Sequence, residues 1–198
     1  AQESSKHDAF FVYVSTDYVF DGKKGMKNEK DIPNPINFYG KSKLDGEIAL
    51  NGISSPYVIV RISTPFGFHP KKTSFPLWVK KNLDLEKEIP VIIDQYTSPS
   101  FVPNLSKMII EVISKKITGI IHLTGDTRIS RYELAELVAE KLGHGKKFLK
   151  PIKMSQMDWK AQRPQDSSLD VSKANKILEN KPQKIEDSIE YLFGQIEK

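Results

Sequence analysis

The chain has 198 residues, of which 38% are hydrophobic and 28% charged, with a net charge of +5. It is long enough for one domain or somewhat more, too apolar for a disordered chain, and only mildly basic. The absence of cysteine excludes disulfides and thiolate metal sites.

The four histidines, at 7, 69, 122 and 144, show no ligand spacing, so no metal is expected. No apolar run approaches the ~20 residues of a membrane helix; the longest is Ala9–Val14. No signal peptide is visible. Lys-Lys pairs at 23–24, 71–72, 80–81, 115–116 and 146–147 are short and scattered, as on a solvated surface. There is no arginine-rich cluster of the kind that grips nucleic acid. The expectation is a cytoplasmic protein with no membrane or nucleic-acid partner.

Ala9–Ser15 is rich in aromatic and β-branched residues and reads as a strand buried on both faces. It ends in Ser15-Thr16-Asp17 and passes into a loop dominated by turn residues. Tyr39–Leu50 reads as a helix with Leu44 and Ile48 on one face, stopped by Asn51-Gly52. Tyr57–Arg61 is a second buried strand, so the first part reads as a βαβ unit of a parallel sheet. Further on, a helix is expected over Phe75–Leu83 and a strand over Ile89–Asp94. Helical spacing of Leu105, Met108, Ile109, Val112 and Ile113 precedes a strand at Gly119–Thr124. Ser130 and Glu133 have the spacing of a capping box, ahead of a stripe of Leu134, Leu137, Val138 and Leu142. Residues 150–170 look irregular, and Ser172–Leu178 and Ile185–Ile196 read as closing helices.

Tyr39 and Lys43 lie one helical turn apart on one face. An ammonium beside a phenol favours the phenolate, and such a tyrosine can exchange a proton with a carbonyl or alcohol oxygen. The same spacing also occurs in ordinary surface pairs. The hydroxyls of Ser15 and Thr16 stand at the carboxyl end of a parallel strand, where open α/β sheets bind ligands. His122 reads as a packed core residue. Trp78 and Trp159 fit either packing or stacking on a ligand. Asn104-Leu105-Ser106 matches a glycosylation sequon but falls on a half-buried helix of a cysteine-free chain.

The runs Val14-Ser-Thr-Asp-Tyr-Val-Phe-Asp-Gly22 and Asn37-Phe-Tyr-Gly-Lys-Ser-Lys-Leu-Asp-Gly-Glu47 resemble the extended short-chain dehydrogenase/reductase family, within it the dTDP-4-dehydrorhamnose reductase branch. Arg61-Ile-Ser63, Asp94-Gln95 with Ser98-Pro99, Gly119–Gly125, Ser130–Ala135 and Arg163–Asp170 agree in order and spacing. The resemblance implies an α/β fold: an incomplete doubly wound, Rossmann-like parallel sheet with a smaller α/β substrate domain. Residues 1–64 and 102–124 would belong to the dinucleotide-binding part, and 65–101 and 125–198 to the nucleotide-sugar part, with the site between them. It implies Tyr39 as catalytic acid, Lys43 as the residue that binds the nicotinamide ribose and tunes it, and Thr16 as the third catalytic group. Ser15, Tyr39, Lys43 and Ser63 would border the cofactor, NADPH or NADH. Asp17, Tyr18, Phe66 and Arg163 would face the dTDP-sugar, the guanidinium suiting phosphate oxygens. The implied reaction is reduction of the 4-keto group of a dTDP-6-deoxy-4-ketohexose; a homodimer is left open.

The chain departs from the family pattern in two places. The family opens with a glycine-rich G-x-x-G-x-x-G turn that cradles the cofactor pyrophosphate, and no such motif occurs here. By that pattern, on the order of ~80 residues and three strands would precede Ala1, and the chain alone is expected to be inactive. In addition, Ser63-Thr64-Pro65-Phe66 stands where members often carry Ser-Trp, with Phe66 replacing part of that surface. Two other functions fit the resemblance. One is a non-catalytic, NADP-binding regulatory subunit like that of methionine adenosyltransferase. The other is a nucleotide-sugar epimerase. Dehydration is disfavoured, because Tyr18 follows Thr16-Asp17 where a dehydratase needs glutamate.

Overall fold

The structure is a computed structural model that describes residues 1–194. A short helix, α1 (Gln2–Lys6), precedes β1 (Phe11–Thr16). A long loop leads to α2 (Phe38–Ala49), whose N-terminus is capped by Asn37 accepting the Gly40 N–H at 2.8 Å. Then come β2 (Tyr57–Ile62), β3 (Pro65–Phe66), α3 (Phe75–Asp84), β4 (Ile89–Ile92), β5 (Tyr96–Thr97) and β6 (Ser100–Phe101). The chain returns through α4 (Val102–Ser114) to β7 (Gly119–His122). It continues with β8 (Ile129–Ser130), α5 (Arg131–Lys141), β9 (Leu149–Ile152), α6 (Ser172–Ile177) and α7 (Ile185–Gly194). Ile196, the expected end of the last helix, lies outside the described residues.

The main sheet has the order β1-β2-β7, all parallel, with Ser15 opposite Arg61 and Arg61 opposite His122. Parallel strands need crossovers, and α2 and the α4 return supply them. On one face of the sheet, Val58, Val60, Ile121 and Leu123 pack with Leu105, Met108 and Val112 of α4 and with Val171, Ala174 and Leu178. These last three fall in the range that the sequence division gives to the second part. They pack here because α6 lays its apolar side on β7 and α4. The expected burial of β1 on both faces is only partial: Phe11, Val12 and Tyr13 are half-buried and Val14 is exposed. The reason is position, since β1 is an outer strand of this sheet among the described residues.

A second core joins α3, α5 and α7 to the β4–β9 pair and the short strands β3, β6 and β8. The capping box is formed: Ser130 Oγ accepts the Glu133 N–H at 3.1 Å and Glu133 Oε2 accepts the Ser130 N–H at 2.7 Å. Leu134 and Val138 are buried, with Leu137 and Leu142 partly so. β9 occupies part of the segment expected to be irregular and pairs parallel with β4.

α2 differs most from its expected packing. Its fully buried residues are Gly40 and Glu47, whereas Ile48 is exposed and Leu44 half-buried. The helix approaches β1 through its glycines. A Cβ at Gly40 would run into the Tyr18 carbonyl oxygen, and one at Gly46 into the Tyr13 hydroxyl.

Candidate active site

Thr16 ends β1 and caps a turn of 3-10 helix over Asp17–Val19, its Oγ1 accepting the Tyr18 N–H at 3.3 Å. The same hydroxyl donates to Asp17 Oδ1 at 2.9 Å, and Ser63 Oγ donates to Asp17 Oδ2 at 2.7 Å. Thr16, Asp17 and Ser63 are all buried. Burial pushes the Asp17 carboxyl above its ordinary range, although the hydroxyls of Ser167, Ser63 and Thr16 pull the other way.

Strand alternation sends Ser15 to the opposite face from Thr16. There its Oγ donates to Glu47 Oε1 at 2.5 Å. The two hydroxyls that the sequence offers together are thus divided between a buried ion pair and the Asp17 cluster.

Tyr39 stands on the first turn of α2, 54% exposed, with its ring edge-on to Tyr18 at 5.9 Å. Lys43, one turn on, donates from Nζ to the Val14 carbonyl at 2.6 Å and lies over the Tyr13 ring at 4.4 Å. The phenol is therefore open to a ligand while the ammonium is anchored to β1.

Tyr18 links this group to the second part of the fold. Burial and then the Asp17 charge raise its pKa, while Arg163 and Arg131 act in the opposite direction. Both arginines line a cavity of about 310 Å³ together with Phe75, Trp78, Gln95 and Trp159. Arg163 stacks over Trp159 at 4.5 Å, and Arg131 lies over Phe75 at 5.1 Å. Burial, with Arg163 close by, lowers the Arg131 pKa. Neither guanidinium has a carboxylate partner among the described residues. A concave, aromatic-lined space with two guanidiniums that have no carboxylate partner suits an anion carrying more than one negative charge, with apolar rings beside it. A larger groove, about 610 Å³, lies between the start of α4 and residues 180–184. Neither Thr16 nor Tyr39 lines it, and it mixes lysines with aspartates, so it does not share this chemistry.

The structure brings together Thr16, Asp17, Tyr18, Tyr39, Lys43, Ser63 and Arg163. Phe66 differs from its expected place on the sugar: its ring is 2% exposed and packs on Phe101 at 5.4 Å in the second core. Arg131 joins the cavity without having been singled out for it, and Trp78 and Trp159, left open between packing and stacking on a ligand, both line it. Arg131 follows the capping serine directly, a position whose direction only the α5 start reveals. Trp159 sits in the segment with no periodicity.

Residues 1–197 match the family model described as the RmlD substrate binding domain. The chain is 32% identical over 195 residues to the dTDP-4-dehydrorhamnose reductase of Aggregatibacter actinomycetemcomitans, covering 92% of this chain and 65% of that protein. It is also 32% identical over 180 residues to methionine adenosyltransferase 2 subunit beta of Rattus norvegicus, covering 87% of this chain and 54% of that one. The chain thus spans between about half and two thirds of the length of these curated relatives. In three dimensions it resembles a Bacillus anthracis dTDP-4-dehydrorhamnose reductase solved in complex with NADP, with a TM-score of 0.89 and 28% identity over 98% of this chain and 68% of that one. The parallel sheet and the match over residues 1–197 agree: this chain belongs to the RmlD substrate-binding domain family and has a Rossmann-like α/β fold.

Proposed function

We propose that the chain is the substrate-binding portion of an NAD(P)H-dependent reductase that converts the 4-keto group of a dTDP-6-deoxy-4-ketohexose, dTDP-4-dehydrorhamnose, to the alcohol of dTDP-L-rhamnose. The observation that carries this reading is the pairing of an accessible acid with an anion cavity. Tyr39 is half exposed beside Tyr18, and Tyr18 in turn borders the unneutralised Arg131 and Arg163.

A nucleoside diphosphate would place its phosphates against the two guanidiniums, with Trp159 and Trp78 offering flat apolar faces. The residues present fit the nicotinamide-ribose end of a dinucleotide: Tyr39 offers a free hydroxyl and Lys43 an ammonium at the carboxyl end of β1. When bound, the reduced nicotinamide supplies the hydride. Tyr39 donates its proton to the oxygen that gains negative charge at C4. Thr16, whose hydroxyl proton rests on Asp17, turns it to the same oxygen and stabilises that charge. Lys43, one helical turn from Tyr39 and anchored on the Val14 carbonyl, would hold the nicotinamide ribose. Ser63 holds Asp17 in place.

A second reading is a regulatory subunit, supported by the same 32% identity to the methionine adenosyltransferase subunit, over a somewhat shorter stretch. Retention of Thr16, Tyr39 and Lys43 supports the catalytic one. The discriminating experiment follows NADPH and NADH absorbance with dTDP-4-dehydrorhamnose and the full-length protein. Turnover yielding dTDP-L-rhamnose is expected. Cofactor binding without turnover on this or related ketosugars would favour the regulatory reading.

A further inference from the structure

We infer that Glu47, Arg61 and Ser15 act as positioning residues that set the height and rotation of α2, and through it the reach of Tyr39 and Lys43. The inference deepens the reductase reading and rests on it.

Tyr39, Lys43 and Glu47 are spaced four apart and share one face of α2, spanning about 12 Å of helix axis. At the far end of that row, the buried Glu47 carboxylate is held at three points. Arg61 donates from Nε at 3.0 Å and from Nη2 at 2.6 Å, and Ser15 donates from Oγ at 2.5 Å. Ser15 and Arg61 are register partners on neighbouring parallel strands, so both point to the α2 face. Ser15 also directly precedes Thr16. One carboxylate therefore ties the helix of the acid to both strands, one residue from the hydroxyl that shares its substrate oxygen.

The geometry of these ties is restrictive. A guanidinium fork fixes direction as well as distance. Phe20 supports the Arg61 guanidinium from its ring face at 5.1 Å. Two further contacts agree in register: Tyr13 donates to the Lys43 carbonyl at 3.2 Å, and Lys43 Nζ donates to the Val14 carbonyl. A buried ion pair adds little stability beyond an apolar pair of the same volume. An apolar pair, however, would let α2 slide or turn on β1 and β2, and this arrangement does not.

The test uses the full-length protein with NADPH and dTDP-4-dehydrorhamnose. Glu47→Asp keeps the charge but shortens the tie by one methylene, and Ser15→Ala removes one hydrogen bond and no charge. In Glu47→Asp, kcat per folded molecule is expected to fall about tenfold to a hundredfold, with KM for the ketosugar within about twofold. Ser15→Ala falls in the same sense, and it carries the test should Glu47→Asp fail to fold. The ring 13C resonance of Tyr39, identified by its loss in Tyr39→Phe, shifts in both variants. An unchanged kcat in folded variants, even with a lower melting temperature, makes the cluster a scaffold only and overturns the inference. If the unaltered protein shows no turnover, the reductase reading fails separately. The Tyr39 resonance then decides, and an unmoved one overturns the inference.

Discussion

Arg61 on β2 and Glu47 on α2 form an ion pair at 2.6 Å with only 2% and 5% of their side chains exposed. Removing one partner leaves the other charge buried without compensation, at a cost of about 3–5 kcal/mol. Arg61→Met is therefore expected to lower the urea midpoint strongly. The double variant Arg61→Met with Glu47→Leu should recover most of that loss, because no charge is left stranded. Equal destabilisation in single and double variants would contradict this account of the pair.

The close approach of α2 to the turn after β1 depends on Gly40, whose Cβ position is taken by the Tyr18 carbonyl oxygen. Gly40→Ala must move backbone rather than a flexible side chain. A loss of about 1–3 kcal/mol is expected, read as a lower thermal midpoint. A neutral substitution would mean that the helix can back away freely.

Acid should destabilise the fold in a defined window. The His122 ring is wholly buried, with Nδ1 at 3.2 Å from the Asp170 carbonyl oxygen. Burial, then the Arg61 charge, brings its pKa from 6.5 down to about 4. The unfolded chain therefore takes up a proton that the folded one refuses. Stability is full above pH 6.5 and falls as pH drops toward 4, by up to about 3 kcal/mol. Glu111 extends the loss: despite its burial, Lys115 and the N–H groups of Glu179 and Asn180 hold its carboxyl down to about 2. It contributes stability above pH 4.5 that is lost as pH falls toward 2. In chemical denaturation across pH 7 to 4, His122→Gln should remove most of the first slope. An unaltered slope would assign it elsewhere.

Arg131 and Arg163 should govern affinity for the nucleotide sugar more than the chemical step. A hydrogen bond to a charged group contributes about 1.5–3 kcal/mol. Arg163→Gln and Arg131→Gln are each expected to raise KM for the dTDP-sugar about tenfold or more, with a smaller change in kcat. Inhibition by dTDP alone should weaken in parallel. Unchanged KM in both variants would remove the phosphates from this cavity.

Much of the architecture is legible in the sequence because it rests on local patterns. The apolar runs of β1 and β2, the stop after α2 and the Ser130–Glu133 box each act within a few residues. The motif carrying Tyr39 and Lys43 is equally local. What escapes depends on contacts remote in the chain. β9 pairs with β4 across α5, and the two-residue strands are too short to show alternation. The packing of α2 defeats a reading by apolar spacing, since its sheet-facing row is Gly40, Lys43 and Glu47 rather than leucines. Ser15 and Thr16 look equivalent in the sequence and are separated by strand alternation alone. Phe66 is assigned to the sugar by analogy, yet β3 turns it into the core.

The most direct test of the central claim compares NADPH oxidation by the full-length protein and its Tyr39→Phe variant, with dTDP-4-dehydrorhamnose as substrate and cofactor binding measured in parallel. The account predicts that the unaltered protein turns over. It also predicts that Tyr39→Phe still binds NADPH but loses about a hundredfold or more of kcat, as expected for removal of a general acid. Equal turnover in the two proteins would contradict it.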